Sequence, residues 1–372
     1  MVQTLKHWFK QDTVLCIAWL LALGTMFLVP PDTAYIGYID FHTLGLLFAL
    51  MAVMAGLQSL GLFRRVGEWM LSKTRTTRQL EAVLLFLPFF SSMLVTNDVA
   101  LITFVPFALE VLRMAQQEHR TIPVVAMQTV AANLGSMTTP IGNPQNLYLY
   151  SHFELSMGDF FRTMLPLTIG AAVLLIAFLF CTKSAPLYLA NVSSSESFAD
   201  SKKSRLLLYG LLFLVCLCAV AKFLPVSAAV LLVLLGVFWA DRLVLKQVDY
   251  ALLFTFLGFF IFVGNLGRVD AFRELLQTLL TGREVLFSIL ASQVISNVPA
   301  ALLLSGFTDE AHALLVGTNL GGLGTLIASM ASLISYKYIS RFCPKETGRY
   351  LLWFTAANLL FLVLLYALYC VL

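Results

Sequence analysis

Long apolar runs follow one another along this chain with short polar breaks between them. Runs near the ~20-residue length that crosses a bilayer occur at about 14–30, 42–62, 160–181, 206–222, 225–240, 250–266 and 350–372. Two more, 122–150 and 312–340, are interrupted near their middles by Gly and Asn and, in the first, by Pro. Two others, 83–114 and 284–304, carry polar tips, "VTNDVA" at 95–100 and "ISNVPA" at 295–300. A helix that enters a bilayer, turns at a polar tip and returns to the same side has this pattern. Non-helical backbone at that depth is tolerated only inside protein or against a water-filled cavity. The pattern therefore predicts an all-α polytopic membrane protein with re-entrant hairpins and interrupted helices. The ~10-residue alternating strands of an outer-membrane barrel do not occur.

Composition agrees. Hydrophobic residues make up 59% of the chain and charged residues 12%, against about a quarter charged in soluble domains. Membrane lipid is the expected surrounding, and a net charge of +4 is no signal for nucleic acid. Lys6 and Lys10 before the first run resemble a secretory leader, but no small-residue cleavage site follows, so the run reads as a retained span. Of the six cysteines, Cys16, Cys216, Cys218 and Cys370 lie in apolar runs and Cys181 ends one, with neither a disulfide framework nor a metal-binding spacing.

The placement of positive charge sets the topology. With the N-terminus in the cytoplasm and both polar-tipped runs as hairpins, nineteen of the 24 Lys and Arg fall on the cytoplasmic side, leaving Arg162, Lys222, Arg268, Arg273 and Arg283 outside. A full span at either hairpin would destroy this bias. Residues 182–204 read as a cytoplasmic linker between an N-terminal half, 1–181, and a C-terminal half, 205–372.

The halves repeat. "IDFHTLGLLFALMAVMAGL" (39–57) parallels "VDYALLFTFLGFFIFVGNL" (248–266), each opening with an acid and an aromatic, and "NLGSMTTPI" (133–141) parallels "NLGGLGTLI" (319–327). The corresponding spans run in opposite directions, so the repeats are inverted. Inverted repeats with broken helices near the midplane are the architecture of secondary transporters.

In 122–150, Gly135, Pro140, Gly142 and Pro144 interrupt the helix and free backbone carbonyls and N–H groups. Carbonyls at one half-helix end suit a cation, and N–H groups at the next helix start suit an anion. Asn133, Thr138, Thr139, Asn143 and Asn146 add neutral ligands, and Asn319, Gly321, Gly322, Gly324 and Thr325 repeat the arrangement more weakly. Thr96, Asn97 and Asp98 form one tip and Ser296 and Asn297 the other. Asp98 is the one acid placed deep in an apolar run, opposite Val298 in the other repeat, and no Lys or Arg reads as deep enough to pair with it. An intramembrane carboxylate costs several kcal/mol unless it is paired, which ties this site to H+ or Na+. His42 and His312 head spans and read as interfacial.

At these residues the chain resembles the ion transporter superfamily, which holds the arsenite permease/NhaD-type antiporters and the citrate and divalent-anion symporters. "TNDVALITFVPFAL" (96–109) and "ANLGSMTTPIGNPQNL" (132–147) carry the resemblance, while "SNVPAALL" and "NLGGLGTLI" are degenerate forms in the second half. Asn143 stands where the arsenite/NhaD pattern has Asp. The resemblance implies a scaffold domain plus a moving transport domain. It implies that Thr96, Asn97, Asp98, Ser296, Asn297, Thr139 and Thr325 contact substrate. Asn133, Gly135, Thr138, Gly142, Asn143, Asn319, Gly321 and Gly324 shape cation loops, with Na+ expected at Asn97, Asp98, Asn133, Asn143, Asn297 and Asn319. The expectation is a bacterial inner-membrane transporter, not an enzyme, moving a small anion with co-transported Na+ or H+ and no other cofactor. A Na+/H+ antiporter is the alternative. Carboxylate-transporting relatives are often dimers, so a homodimer is an expectation of the resemblance alone.

Overall fold

The computed structural model describes residues 13–187 and 200–372. The first twelve residues and most of the expected 182–204 linker lie outside the described residues. Within them the first half begins with α1 (Thr13–Met26), the short α2 (Ala34–Tyr38) and the long α3 (Phe41–Ser59). Next come α4 (Leu62–Leu71), the hairpin helices α5 (Thr77–Ser91) and α6 (Asn97–Met114), the interrupted pair α7 (Thr121–Ser136) and α8 (Pro144–His152), and α9 (Met157–Cys181). The second half opens with α10 (Asp200–Val220) and α11 (Val226–Asp241), followed by α12 (Tyr250–Gly267) and α13 (Asp270–Leu280). Its hairpin is α14 (Glu284–Ile295) and α15 (Asn297–Leu304), its interrupted pair α16 (Ala311–Gly321) and α17 (Met330–Phe342), and α18 (Thr347–Val371) ends the chain.

Local chemistry sets these boundaries. Asp40 and Asp249 each cap a long apolar helix, accepting the N–H of Thr43 at 2.9 Å and of Leu252 at 3.0 Å. Asn143 caps α8 in the same way, with Pro144 in its first turn, where a missing N–H costs nothing. Among the described residues six helices (α3, α9, α10, α11, α12 and α18) are long and apolar enough to cross a membrane. The sequence pattern did not announce α4 and α13. They are amphipathic, and each joins a long span to a hairpin; α13 meets α14 at 114°, with Gly282 at φ +75° in the turn between them.

The helices sort into two groups. In one, α3 packs against α10 and α11, and α12 packs against α1. In the other, each hairpin packs on the interrupted helix of its own half, α5 and α6 on α7, and α14 and α15 on α16. The second arms cross over, α6 lying on α17 and α15 on α8, while α9 and α18 pack on this second group. α1 and α12 run parallel, since Trp19 Nε1 donates to Phe254 O at 3.1 Å and Asn265 Nδ2 to Thr25 Oγ1 at 3.2 Å.

Long-range polar contacts gather the loops onto two faces. On the face where α1 begins, Arg120 pairs with the buried Glu81 at 2.6 Å and donates to Lys183 O, while Arg78 donates to Thr182 O. On the opposite face Arg268 pairs with Asp32 at 2.7 Å, Lys222 donates to Glu154 O, and His312 Nδ1 lies 2.7 Å from Thr163 Oγ1.

Candidate transport site

The two interruptions meet in the middle of the hairpin group and exchange side chains. Asn133, at the end of α7, accepts from Asn97 Nδ2 at 2.9 Å and from Ser329 Oγ at 3.1 Å, and its own amide reaches Gly322 O at 3.4 Å. Asn319, its counterpart at the end of α16, donates to Asn146 Oδ1 at 2.6 Å and accepts from Asn143 Nδ2 at 3.2 Å. Each helix end is therefore held by the break of the other half. All of these side chains are buried. Buried amides are stable only when bonded, so the network defines one arrangement of the two breaks.

The repeat holds to single residues. Asn97 and Asn297 donate their backbone N–H groups to Gly142 O at 3.3 Å and Ala328 O at 2.9 Å. Thr139 Oγ1 donates to Met93 O at 2.5 Å, and Thr325 Oγ1 to Gln293 O at 3.2 Å. Gly135 and Gly321 stand where the hairpin backbone comes closest: a Cβ at Gly135 would lie 1.9 Å from Phe89 O, and one at Gly321 would lie 2.5 Å from Ser292 Oγ. Small residues here let the hairpin seat against the helix end. Gly142 has the same role within its break, facing Ser136 O at 2.1 Å from an added Cβ, and Gly324 adopts φ +115°.

Two cavities open at the seam between the helix groups, on the α1 face. One, of about 170 Å³, lies between α3 and the first hairpin, with Met51, Gln58, Thr96, Asp98, Asn143 and Asp249 on its wall. The other, of about 300 Å³, lies between α12 and α17, lined by Thr13, Asp98, Asp249, Thr255, Met330 and Lys337. Asp98 borders both. It sits in the first turn of α6, and its Oδ1 is buried without a hydrogen-bond partner. The sequence placed no cation near it; the structure brings the long side chain of Lys337, from the middle of α17, to the wall of the same cavity.

On the opposite face a cavity of about 640 Å³ lies between α3 and α8, with Asp40, His42, Tyr150, Ser151 and Lys222 on its wall. There α8 packs on α3 and α15 on α12. His42 Nδ1 lies 2.9 Å from Ser151 Oγ, and Tyr148 meets Phe256 edge-on and Phe260 at a tilt, with its hydroxyl 2.8 Å from Ser305 Oγ.

Of the residues picked from sequence, the structure brings Thr96, Asp98 and Asn143 to the cavity wall. Asn97, Asn133 and Asn319 lie in the amide network behind it. Asn297 and Ser296 are buried against Ala328, and Thr138 donates to Gly135 O at 2.7 Å. The hydroxyl protons of Thr139 and Thr325 go to hairpin carbonyls, leaving only lone pairs for a ligand. Sequence reasoning passed over Ser136, Gln293 and Ser329, which complete the network, and Asp249. The "VDY" that matches "IDF" was the available signal for Asp249.

Comparison with known proteins agrees with this architecture. A family model described as "Citrate transporter" matches residues 8–313. The inner membrane protein YbiR of Escherichia coli is 32% identical over 329 residues, covering 86% of this chain and 85% of its own. An uncharacterized transporter of Methanocaldococcus jannaschii, MJ0456, is 30% identical over 84% of this chain and 85% of its own. The silicon efflux transporter LSI3 of Oryza sativa subsp. japonica is 32% identical over 153 residues, 41% of this chain and 31% of its own. With the inverted hairpins, the crossed breaks and a cavity at their seam, this chain belongs to the citrate transporter family and is a secondary transporter.

Proposed function

We propose that the protein carries a small anion, a carboxylate or an inorganic oxyanion, coupled to Na+ or H+, by movement of the hairpin group against the α1/α3/α12 scaffold. The observation that carries this reading is the buried, unpartnered Oδ1 of Asp98 on a cavity that also reaches Thr96 and Asn143. The first turns of α6 and α8 border this region through Thr96, Asp98, Asn143 and Pro144, and the positive end of a helix suits an anion. No Arg lines either cavity among the described residues. An anion beside an ionised Asp98 would be repelled, so its entry requires a bound cation or a proton on that carboxylate. Coupling follows from this charge balance. Na+ would take oxygen ligands from Asn97, Asp98, Asn133 and Asn143, with Asn297 and Asn319 in the second half. The excess of Lys and Arg on the α1 face supports a cytoplasmic placement of that face, in which the cavities beside Asp98 would open inward.

The carboxylate of Asp98 also supports a second reading, exchange of Na+ for H+ with no anion carried. Proteoliposomes on a solid-supported membrane separate the two. Pulses of citrate, succinate, sulfate, phosphate and arsenite, each with Na+ or K+ at two pH values, should give a current that needs one anion and one coupling ion. A pH-dependent signal from Na+ alone, with no anion response, would establish antiport instead.

A further inference from the structure

Two helix ends that belong to different groups finish in the same way. α10, in the scaffold group, closes with Lys222 in the left-handed region at φ +64°. Its N–H bonds Ala219 O at 3.0 Å, and the next N–H, of Phe223, bonds Cys218 O at 2.9 Å. α8, in the hairpin group, closes with Glu154 at φ +49°. Its N–H bonds Ser151 O at 3.1 Å, and that of Leu155 bonds Tyr150 O at 3.0 Å. Glycine is the usual residue at this position, because a side chain there is disfavoured.

At Lys222 the side chain has a use that offsets the disfavoured backbone. Nζ donates to Glu154 O at 3.1 Å and to Leu155 O at 3.2 Å, and it lies 5.4 Å from the centre of the Tyr150 ring. A scaffold turn thus clasps the last turn of α8 with a cation, at the helix end where the backbone dipole favours one. Beside it the His42–Ser151 contact crosses between the same two groups. Both contacts border the 640 Å³ cavity, so they bridge the seam there without filling it.

We infer that Lys222 is a positioning residue of the transport cycle, holding α8 and the hairpin group in the present arrangement and releasing them whenever that group moves. The inference rests on the domain movement proposed above. α8 is one rod of nine residues. Pro144 and the cap Asn143, at its start, line the cavity beside Asp98, and its far end lies under Lys222. A displacement of α8 that reshapes that cavity must therefore pull Glu154 and Leu155 away from a turn fixed between α10 and α11. The acceptors are backbone carbonyls, so the grip is set by the side chain at 222 and not by those at 154 and 155.

The test uses the full-length transporter in proteoliposomes, in a background with the six native cysteines replaced, and reads the current from the anion and cation pulses described above. Lys222→Cys with Glu154→Cys, joined by a flexible, reducible bis-thiol reagent, should lose the current and regain it on reduction. Leu46→Cys, a buried position on the wall of the 640 Å³ cavity, reports release through its labelling by a small hydrophilic thiol reagent. Lys222→Met and Lys222→Gly should each raise that rate by up to about five-fold, the range of a partly exposed charged contact. Lys222→Arg, whose guanidinium can bond both carbonyls and cover the ring, should label like the parent. Glycine separates the grip from the fold. It suits φ +64°, so Lys222→Gly should unfold no earlier than the parent while still releasing α8. The grip is overturned if the 222/154 link leaves the current running while a His42→Cys/Ser151→Cys link stops it. It is also overturned if labelling at 46 is the same with Lys, Met and Gly at 222. If both links leave the current running, the proposed movement itself fails. Labelling needs no cargo, so it judges the grip even where no anion evokes a current.

Discussion

Asn143 Nδ2 donates to Asn319 Oδ1 at 3.2 Å, joining the break of the first half to the helix end of the second across 176 residues of chain. Removing Asn319 would leave Asn143 Nδ2 with Ser136 Oγ alone and take from Asn146 Oδ1 its donor. Leaving buried polar groups without partners costs about 1–3 kcal/mol. Asn319→Ala is therefore expected to lower the thermal unfolding midpoint in detergent. An unchanged midpoint would mean that the crossed network is not structural.

Gly135→Ala tests the seat of the first hairpin. The added methyl meets the Phe89 carbonyl and Ser92 Oγ, and the carbonyl belongs to backbone that cannot turn aside. Overpacking of this kind costs about 1–3 kcal/mol. Gly210→Ala, where an added Cβ meets nothing within 4 Å, is the matched control. The pair should differ in stability by that amount in the same assay.

Arg120 and Glu81 hold the base of the same hairpin, with side chains 15% and 5% exposed. Breaking a buried pair leaves an uncompensated charge and costs about 3–5 kcal/mol, whereas removing both partners costs less. Arg120→Met alone should reduce folded yield more than Arg120→Met combined with Glu81→Leu. A double-mutant cycle on detergent stability reads the difference.

Asp98→Asn should abolish gradient-driven uptake while leaving folding intact, because the amide cannot bind a proton or balance a cation. Asn97→Ala should do the same by releasing Asn133 from the tip. Normal uptake by either variant would remove that residue from the mechanism.

Sidedness can be read with an impermeant maleimide. Cys343 should label from the cytoplasm only, whereas Thr281→Cys and Asp309→Cys, which flank the second hairpin, should both label from outside. Labelling of the last two from opposite sides would make α14 and α15 a full crossing.

Much of the fold was legible because bilayer-length apolar runs and helix-breaking residues are local signals. The tips at Asn97 and Asn297 and the breaks after Ser136 and Gly321 fall where the polar clusters stood in sequence. Two kinds of feature were not legible. α4 and α13 are short and amphipathic, so charges such as Arg64, Arg65, Asp270 and Arg273 made them look like loops. The partners of Asn133 and Asn319 depend on the crossing of the two halves, a tertiary relation that no local pattern encodes. Lys337 was missed for a related reason: its α-carbon lies well along α17, and its reach to the cavity depends on how that helix is tilted.

The hairpins correspond at a spacing of 200 residues (Ser92 with Ser292, Asn97 with Asn297), the breaks at 186 (Gly135 with Gly321) and the scaffold helices at 209 (Asp40 with Asp249). Between tip and break the change in length falls in the helices themselves, α6 and α7 being longer than α15 and α16, while the register around each tip and each break is kept to the residue. Insertion tolerance should follow the same division. An epitope tag or fluorescent reporter placed in 116–119 or 309–310 would extend an exposed connection that takes no part in the amide network. A single extra residue within 133–146 would turn every amide of that break towards the wrong neighbour.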